Sequence, residues 1–364
     1  MTVKDITKIL EELAPLTHAE DFDNVGLLVG DQNRTVSGIL VTLDTLENVV
    51  DEAISKKCNL IVSFHPIIFS GLKKLTGSTY VERVVMKAIA HNIAIYSMHT
   101  ALDNSKQGVN AKICEVLGIK NPKILIPKAG TIKKLTTYVP VDEAETIKSA
   151  LFDAGAGEIG KYSNCSFSVE GVGTFLASDE ANPSVGKIGE VHEEKETQIT
   201  VIFSFEKEQQ ILDALFNVHS YEEVAYEILV LQNINQDIGI GMVGTLENEM
   251  DEVDFLHYVK TKMNASMVRH TKLLGKKVKK VAVLGGSGAF AISAAKRAKA
   301  DVFVTSDLKY HQFFEAENQL VLADIGHFET EQFTKDLLVD YLTKKIPNFA
   351  VSLSESKTNP IKYL

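Results

Sequence analysis

The sequence predicts an α/β protein: two α/β halves forming one main domain, with helices covering mixed sheets, plus an inserted ferredoxin-like α+β domain. Three observations carry this reading. Short apolar runs alternate with helical patterns up to about residue 127 and again after about residue 234. Those runs lack period-2 alternation, as expected where helices cover both faces of a sheet. Between them the order changes to strand, helix, two strands, helix, strand, the split βαβ arrangement.

The elements follow in order. The first residues, MTVKDITKILEELAP, read as an amphipathic helix with acidic residues rather than a leader peptide. VGLLVG (25–30) and SGILVTLD (37–44) are strands by composition, and Leu46, Val49, Val50, Ala53 and Ile54 recur on one helix face. NLIVSF (59–64), a helix through residues 80–91, IAIYSM (93–98) and a helix at 107–117 complete the first half. The insert opens with LTTYVPV (135–141), after which Asp142 and Glu145 fit a capping box. Strands are expected around 166–175 and 197–205, where Ile199, Val201, Phe203 and Phe205 face one way. A helix over 207–217 and a strand over 224–231 close it. The second half holds strands at 281–285, 301–306 and 319–326, a long helix from His327 with Phe333, Leu337, Leu338 and Leu342 on its apolar side, and a strand near 349–353. The expected domains are thus 1–127 with 234–364, and 128–233.

Composition narrows the function. Of 364 residues, 45% are hydrophobic and 24% charged, enough apolar material for a substantial core. A net charge of −10 argues against a nucleic-acid binder. The basic run at 272–280 reads as a solvated loop. No apolar stretch reaches the ~18 residues of a membrane span. Cys58, Cys114 and Cys165 are scattered with no CxxC pair, which points to a reducing, cytoplasmic setting and removes thiolate zinc sites.

Four expected strand ends carry titratable side chains, where open α/β sheets place their sites. They are Ser63-Phe64-His65-Pro66, His99 to Asp103, Ser306 to His311, and Asp324 to Glu331. His327 and Glu331, four apart at a helix start, share one face, and an imidazole with a carboxylate suits Zn²⁺, Mn²⁺, Fe²⁺ or Co²⁺. His99 and Asp103 repeat that spacing. Gly286-Ser287-Gly288-Ala289-Phe290-Ala291 fits GxGxxA after a strand, either as a tight strand-to-helix turn or as a backbone cradle for a phosphate or carboxylate. In the insert, Glu222, Glu223 and Tyr226 either belong to a ligand pocket or pack and cap the last strand.

DFDNVGLLVGD (21–31), SFHPIIFSGLKKL (63–75), HTALDNSKQGVN (99–110), GGSGAF (285–290), ADVFVTSDLKYHQ (300–312) and ADIGHFETEQF (323–333) together resemble the GTP cyclohydrolase 1 type 2 homologue family of metal-binding α/β proteins. The insert resembles a PII/CutA-like domain of the long members, on GAGEIGKYSNCSF (155–167) and HSYEEVAYEI (219–228). The resemblance implies metal ligands at His65, Asp103, His327 and Glu331, and two metals in one site. It also places Phe64 where the family has the first His of a His-His-Pro motif. The expectation is one tight and one weak or absent divalent metal, or a substitute ligand such as water or His99. Asp307 and His311 match a GDxxYH pattern, His311 as general acid/base and Asp307 as the group orienting a ligand; the competing reading is a helix-capping Asp and a surface His. Asp23 and Asn24 belong to the rim or cap a turn. The implied function is a metal-dependent hydrolase acting on a small molecule, a nucleotide of the GTP type, with turnover depending on Glu331. The alternative is a non-catalytic metal-binding regulatory or scaffold protein whose insert senses a ligand. The resemblance also implies a homohexamer.

Overall fold

Strands such as Ile39–Thr42 and Leu60–Ser63 are wholly buried, and the computed structural model, which describes residues 1–364, shows why their sequences do not alternate. Successive side chains point to opposite faces. Ile39, Val41, Leu60 and Val62 enter one apolar core, while Leu40, Ile61 and Ile95 enter another on the opposite face. Each such fully buried side chain contributes about 1.5–3 kcal/mol.

The chain divides into two compact units, residues 1–127 with 236–364, and residues 128–235. The larger unit holds two mixed sheets. In the first, Gly26–Val29 pairs antiparallel with Ala94–Ser97. Parallel pairing then continues through Leu60–Ser63, Ile39–Thr42 and the C-terminal strand Val351–Leu353. In the second, Lys277–Ser287, Val302–Ser306 and Val321–Asp324 run parallel. Arg269–His270 joins one edge, and Gly239–Asp251 and Lys120–Pro127 extend the other, all antiparallel. Val281, Val283, Val302, Val304, Val321 and Ala323 of this second sheet share one core with Ile39, Val41, Leu60 and Val62 of the first. That common core fixes the carboxyl ends of both sets of parallel strands.

The smaller unit is a four-stranded antiparallel sheet. Its spatial order is Ser166–Leu176, Val191–Ser204, Ile132–Pro140 and Tyr226–Leu231. Helices Ala144–Asp153 and Glu208–Val218 pack on it through Ile147, Leu151, Ile211 and Leu215. Ile199, Val201 and Phe203 face that core as the alternation predicts, while Phe205 lies past the strand end, in a 3₁₀ turn.

Several local expectations change. Asp142 does not cap the helix: Val141–Glu143 forms a 3₁₀ turn, and Glu143 precedes the helix with no side-chain cap. A true capping box closes the first helix, Val3–Leu13, between Thr2 and Asp5. The helix from His327 is two helices, His327–Glu331 and Thr334–Lys345, and of its predicted apolar side Leu338 and Leu342 are buried. The basic run is a loop only up to residue 276; Lys277 begins a strand. No helix is long and apolar enough to cross a membrane.

Candidate metal centre

Each parallel strand of the first sheet ends just before a titratable group. Asp44 follows Ile39–Thr42, His65 follows Leu60–Ser63, and His99 follows Ala94–Ser97. His65 is pinned by its own backbone, its N–H donating to Leu43 O at 2.9 Å and its carbonyl accepting from Ser63 Oγ at 2.8 Å. From the second sheet, Asp307 follows Val302–Ser306, and His327 and Glu331 follow Val321–Asp324 on one short helix.

These ends meet. His65 Nε2 lies 3.0 Å and His327 Nε2 3.2 Å from the same atom, Glu331 Oε2. That oxygen is buried, yet neither ring nitrogen is aligned to form a hydrogen bond with it. One ligand atom from each of His65, His327 and Glu331 lies within 4.8 Å of the others. Asp103, at the end of helix His99–Asp103, lies outside this group of three but feels the charge of Glu331, His65 and His327; it too is buried, and its Oδ1 has no hydrogen-bond partner.

Every imidazole is held from behind by an aspartate. His65 Nδ1 is 2.8 Å from Asp44 Oδ1, His327 Nδ1 is 2.6 Å from Asp307 Oδ2, and His99 Nδ1 is 2.7 Å from Asp23 Oδ1. Such carboxylate partners fix the ring orientation and leave Nε2 free to ligate. The aspartates are themselves anchored: Thr358 Oγ1 donates to Asp44 Oδ2 at 2.6 Å, Ser287 Oγ to Asp307 Oδ2 at 2.5 Å, and Thr100 N–H to Asp23 Oδ2 at 3.0 Å. Asp307 and His99 also hold positive φ, 58° and 25°, a backbone strain of about 1–3 kcal/mol that clusters at functional sites.

Charge explains the protonation pattern. Burial pulls His65 down, but Asp44 and Glu331 outweigh it and raise its pKa to about 9. His327 behaves alike: burial opposes, and Asp307 and Glu331 raise it to about 11. Burial raises Glu331, but the two imidazoles prevail and hold it below the usual carboxylate range. Asp103 goes the other way, raised first by burial and then by the negative charge of Glu331. The cluster thus gathers protons onto the rings and onto Asp103. A divalent cation on these atoms would displace them.

The residues fit such an ion. Two buried carboxylate oxygens lack hydrogen bonds, two Nε2 atoms converge on one of them, and nitrogen and oxygen donors suit a borderline divalent metal. Gly286 keeps the space clear. Its φ is +70°, and a Cβ there would sit 2.5 Å from Glu331 Oε1.

The glycine motif is therefore a tight turn beside the carboxylate. Its first amide is not free for a phosphate, since Gly286 N–H donates to Thr330 Oγ1 at 2.9 Å, and just ahead of the motif Gly285 N–H donates to Asn110 Oδ1 at 3.0 Å. Phe64 is fully buried, its ring packed 4.9 Å from that of His65 and 5.6 Å from that of His99. Asp307 is drawn into the centre through His327. His311 is not: it is exposed on the 3₁₀ turn Tyr310–Ala316, against Tyr310 and Phe314, with no bond to the centre. Beside Asp307 opens a hollow of about 480 Å³ whose lining includes Ser287, Phe290, Lys309 and Gln312. In the insert, Glu222 and Glu223 line a cavity, while Tyr226 packs on Phe216 instead.

Sequence reasoning missed Asp44 as a partner of His65 and took Asp23 for a rim or turn residue. The signal for Asp44 was present, since it ends SGILVTLD just as the other site residues end their strands.

The chain is similar to known proteins over its whole length. The family model Duf34/NIF3 (NGG1p interacting factor 3) matches residues 1–360. A Bacillus subtilis protein named GTP cyclohydrolase 1 type 2 homolog is 39% identical over 367 residues, 99% of this chain and 98% of that protein. A Staphylococcus aureus protein of the same name is 33% identical over 368 residues, the full length of both. The crystal structure of a Bacillus cereus protein related to NIF3 superposes with a TM-score of 0.86 at 36% identity, covering 100% of this chain and 99% of that one.

Proposed function

This chain belongs to the Duf34/NIF3 family, and on that premise we propose that it is a divalent-metal-dependent hydrolase acting on a nucleotide. The observation that carries the reading is the convergence of His65 Nε2 and His327 Nε2 on the buried, unbonded Glu331 Oε2. His65, His327 and Glu331 hold the ion, with Asp103 completing the set. A zinc, manganese, iron or cobalt ion so held supplies Lewis acidity for hydrolysis. Asp44 and Asp307 keep the two rings aimed, and Gly286 leaves room for the Glu331 carboxylate. The hollow beside Asp307 offers an exposed aromatic ring, Phe290, for stacking on a base and one cation, Lys309, for a phosphate, with Glu315 and Asp307 also in its lining. The names of the relatives point to GTP, whose opening at the purine ring would release formate. The test is formate release from GTP by metal-loaded protein, lost in Glu331→Gln; loaded protein that turns over neither GTP nor other purine nucleotides removes the hydrolase reading.

One observation favours a second reading. Phe64 puts a buried ring where the resemblance places a second-metal ligand, which suits a one-metal regulatory or scaffold protein whose PII/CutA-like insert senses a ligand. Metal binding without turnover, altered by a ligand of the insert, would select it. We further infer a homohexamer working in the cytoplasm. The unpaired cysteines accord with a reducing compartment, and a monomeric mass in light scattering would remove the assembly.

A further inference from the structure

The inserted unit contains a cavity of about 440 Å³, within the size range of small-molecule sites. Its walls are mostly apolar and aromatic, with Tyr138, Phe175 and Tyr221 among them. Three glutamates, Glu196, Glu222 and Glu223, are also among its lining residues, and none of these is Lys, Arg or His. Glu222 is partly engaged, accepting from Asn182 N–H at 2.8 Å.

The cavity is held in shape by the protein itself. His219 Nε2 donates to the Tyr138 carbonyl at 3.1 Å, while Tyr221 N–H donates to His219 Nδ1 at 3.1 Å, so one neutral tautomer ties two of the aromatic walls together. The His219 and Tyr221 rings lie 5.0 Å apart. Gly173 gives Glu196 its place, since a Cβ at residue 173 would come within 2.1 Å of Glu196 Oε2. The Tyr221 hydroxyl is buried without an aligned hydrogen-bond partner. Burial first, then the carboxylates of Glu196, Glu194 and Glu143, raise its pKa, so it remains a neutral phenol facing negative charge.

We propose that this cavity binds a small organic monocation with an apolar body, an alkyl- or arylammonium. Aromatic faces attract a cation through their quadrupole, and the carboxylates supply the counter-charge. An anion meets three carboxylates and no basic group. A bare metal ion wants several oxygen ligands at about 2.0–2.6 Å, which a largely apolar chamber of this volume does not present. The proposal is independent of the metal centre and stands or falls without it.

The probe is benzyltrimethylammonium, titrated calorimetrically into the intact chain beside benzoate, of similar body and opposite charge. We expect saturable binding of the cation and none of benzoate. Glu196→Gln should weaken the cation about fivefold, the worth of a partly exposed charge pair near 1 kcal/mol, and Tyr221→Leu should weaken it comparably. A thermal melt shows that each variant is folded. No binding of the cation at millimolar concentration, or benzoate binding as well as the cation, overturns the proposal. So does unchanged affinity in both folded variants. If a variant fails to fold, the cation-against-benzoate comparison on the natural chain decides alone.

Discussion

His65 Nε2 and His327 Nε2 approach one oxygen of Glu331 from opposite sheets, at 3.0 and 3.2 Å. Nothing local in either sheet requires this. The shared core of Ile39, Val41, Val281 and Val302 fixes the strand ends, and the strand ends fix the side chains. The two protonated rings supply the counter-charge of this buried carboxylate, and a divalent ion on the same atoms would take the place of their protons.

Because Asp44 and Asp307 act through the rings they hold, their loss should spare the fold and weaken the metal. Asp44→Ala and Asp307→Ala are each expected to lower metal affinity about 10- to 100-fold. Competition against a chromophoric chelator reads this directly. Unchanged affinity in both variants would mean that the aspartates only cap the strand ends.

Gly286→Ala places a methyl group where φ is +70° and Glu331 Oε1 would lie 2.5 Å away. The expected outcome is a destabilisation of about 1–3 kcal/mol together with loss of metal. Differential calorimetry and metal analysis on the same sample check both. A variant of native stability and native metal content would show that the turn relaxes freely.

Phe64→His restores the side chain that the resemblance places at this position. Metal content should rise from about one towards about two ions per chain, given open positions around a carboxylate-rich pair. Stability should fall by about 1–3 kcal/mol where the new imidazole stays unpaired in the core, and recover when metal is added. No gain in metal content would assign the limit to something other than Phe64.

The C-terminal segment is tied down by Glu52, whose carboxylate accepts from Lys56 Nζ, Ser354 Oγ, and the Glu355 and Ser356 N–H groups. Burial opposes ionisation, but these donors lower its pKa from 4.5 to about 2. A depressed pKa means stability that is fully present above the unfolded value and lost as pH falls through the folded one. The stability advantage of the natural chain over Glu52→Gln should therefore be constant above about pH 5 and shrink between about pH 4.5 and 2. Urea unfolding at stepped pH measures it; an advantage independent of pH would contradict the assignment. Because Thr358, just beyond, donates to Asp44, Thr358→Val should also weaken metal binding, by less than Asp44→Ala does.

The elements were largely legible because they rest on local physics. Fully apolar runs such as Leu60–Ser63 marked strands buried on both faces, and the insert's strands and helices followed their periodicities. Boundaries failed where a cap or a short turn decided them, as at Asp142 and at Gln332, between the two helices after His327. Within the centre, His327 and Glu331 are read from helix spacing and His65 and Asp103 from their places at strand ends, while the ligand role of His65 and Asp103 is given only by the resemblance. The strand-end position of Asp44 is legible, but its pairing is non-local: the distance from its carboxylate to His65 Nδ1 depends on two parallel strands lying in register. His311 follows Asp307 by four residues, yet the turn Tyr310–Ala316 leaves its ring exposed, a placement that sequence proximity does not give.

Metal content per chain tests the central claim most directly. The protein would be purified without chelator or affinity nickel and analysed by mass spectrometry for metals, beside the double variant His327→Ala, Glu331→Ala. The account predicts about one divalent ion per natural chain and none in the variant. Absence of metal from both proteins, or equal metal in both, would contradict it.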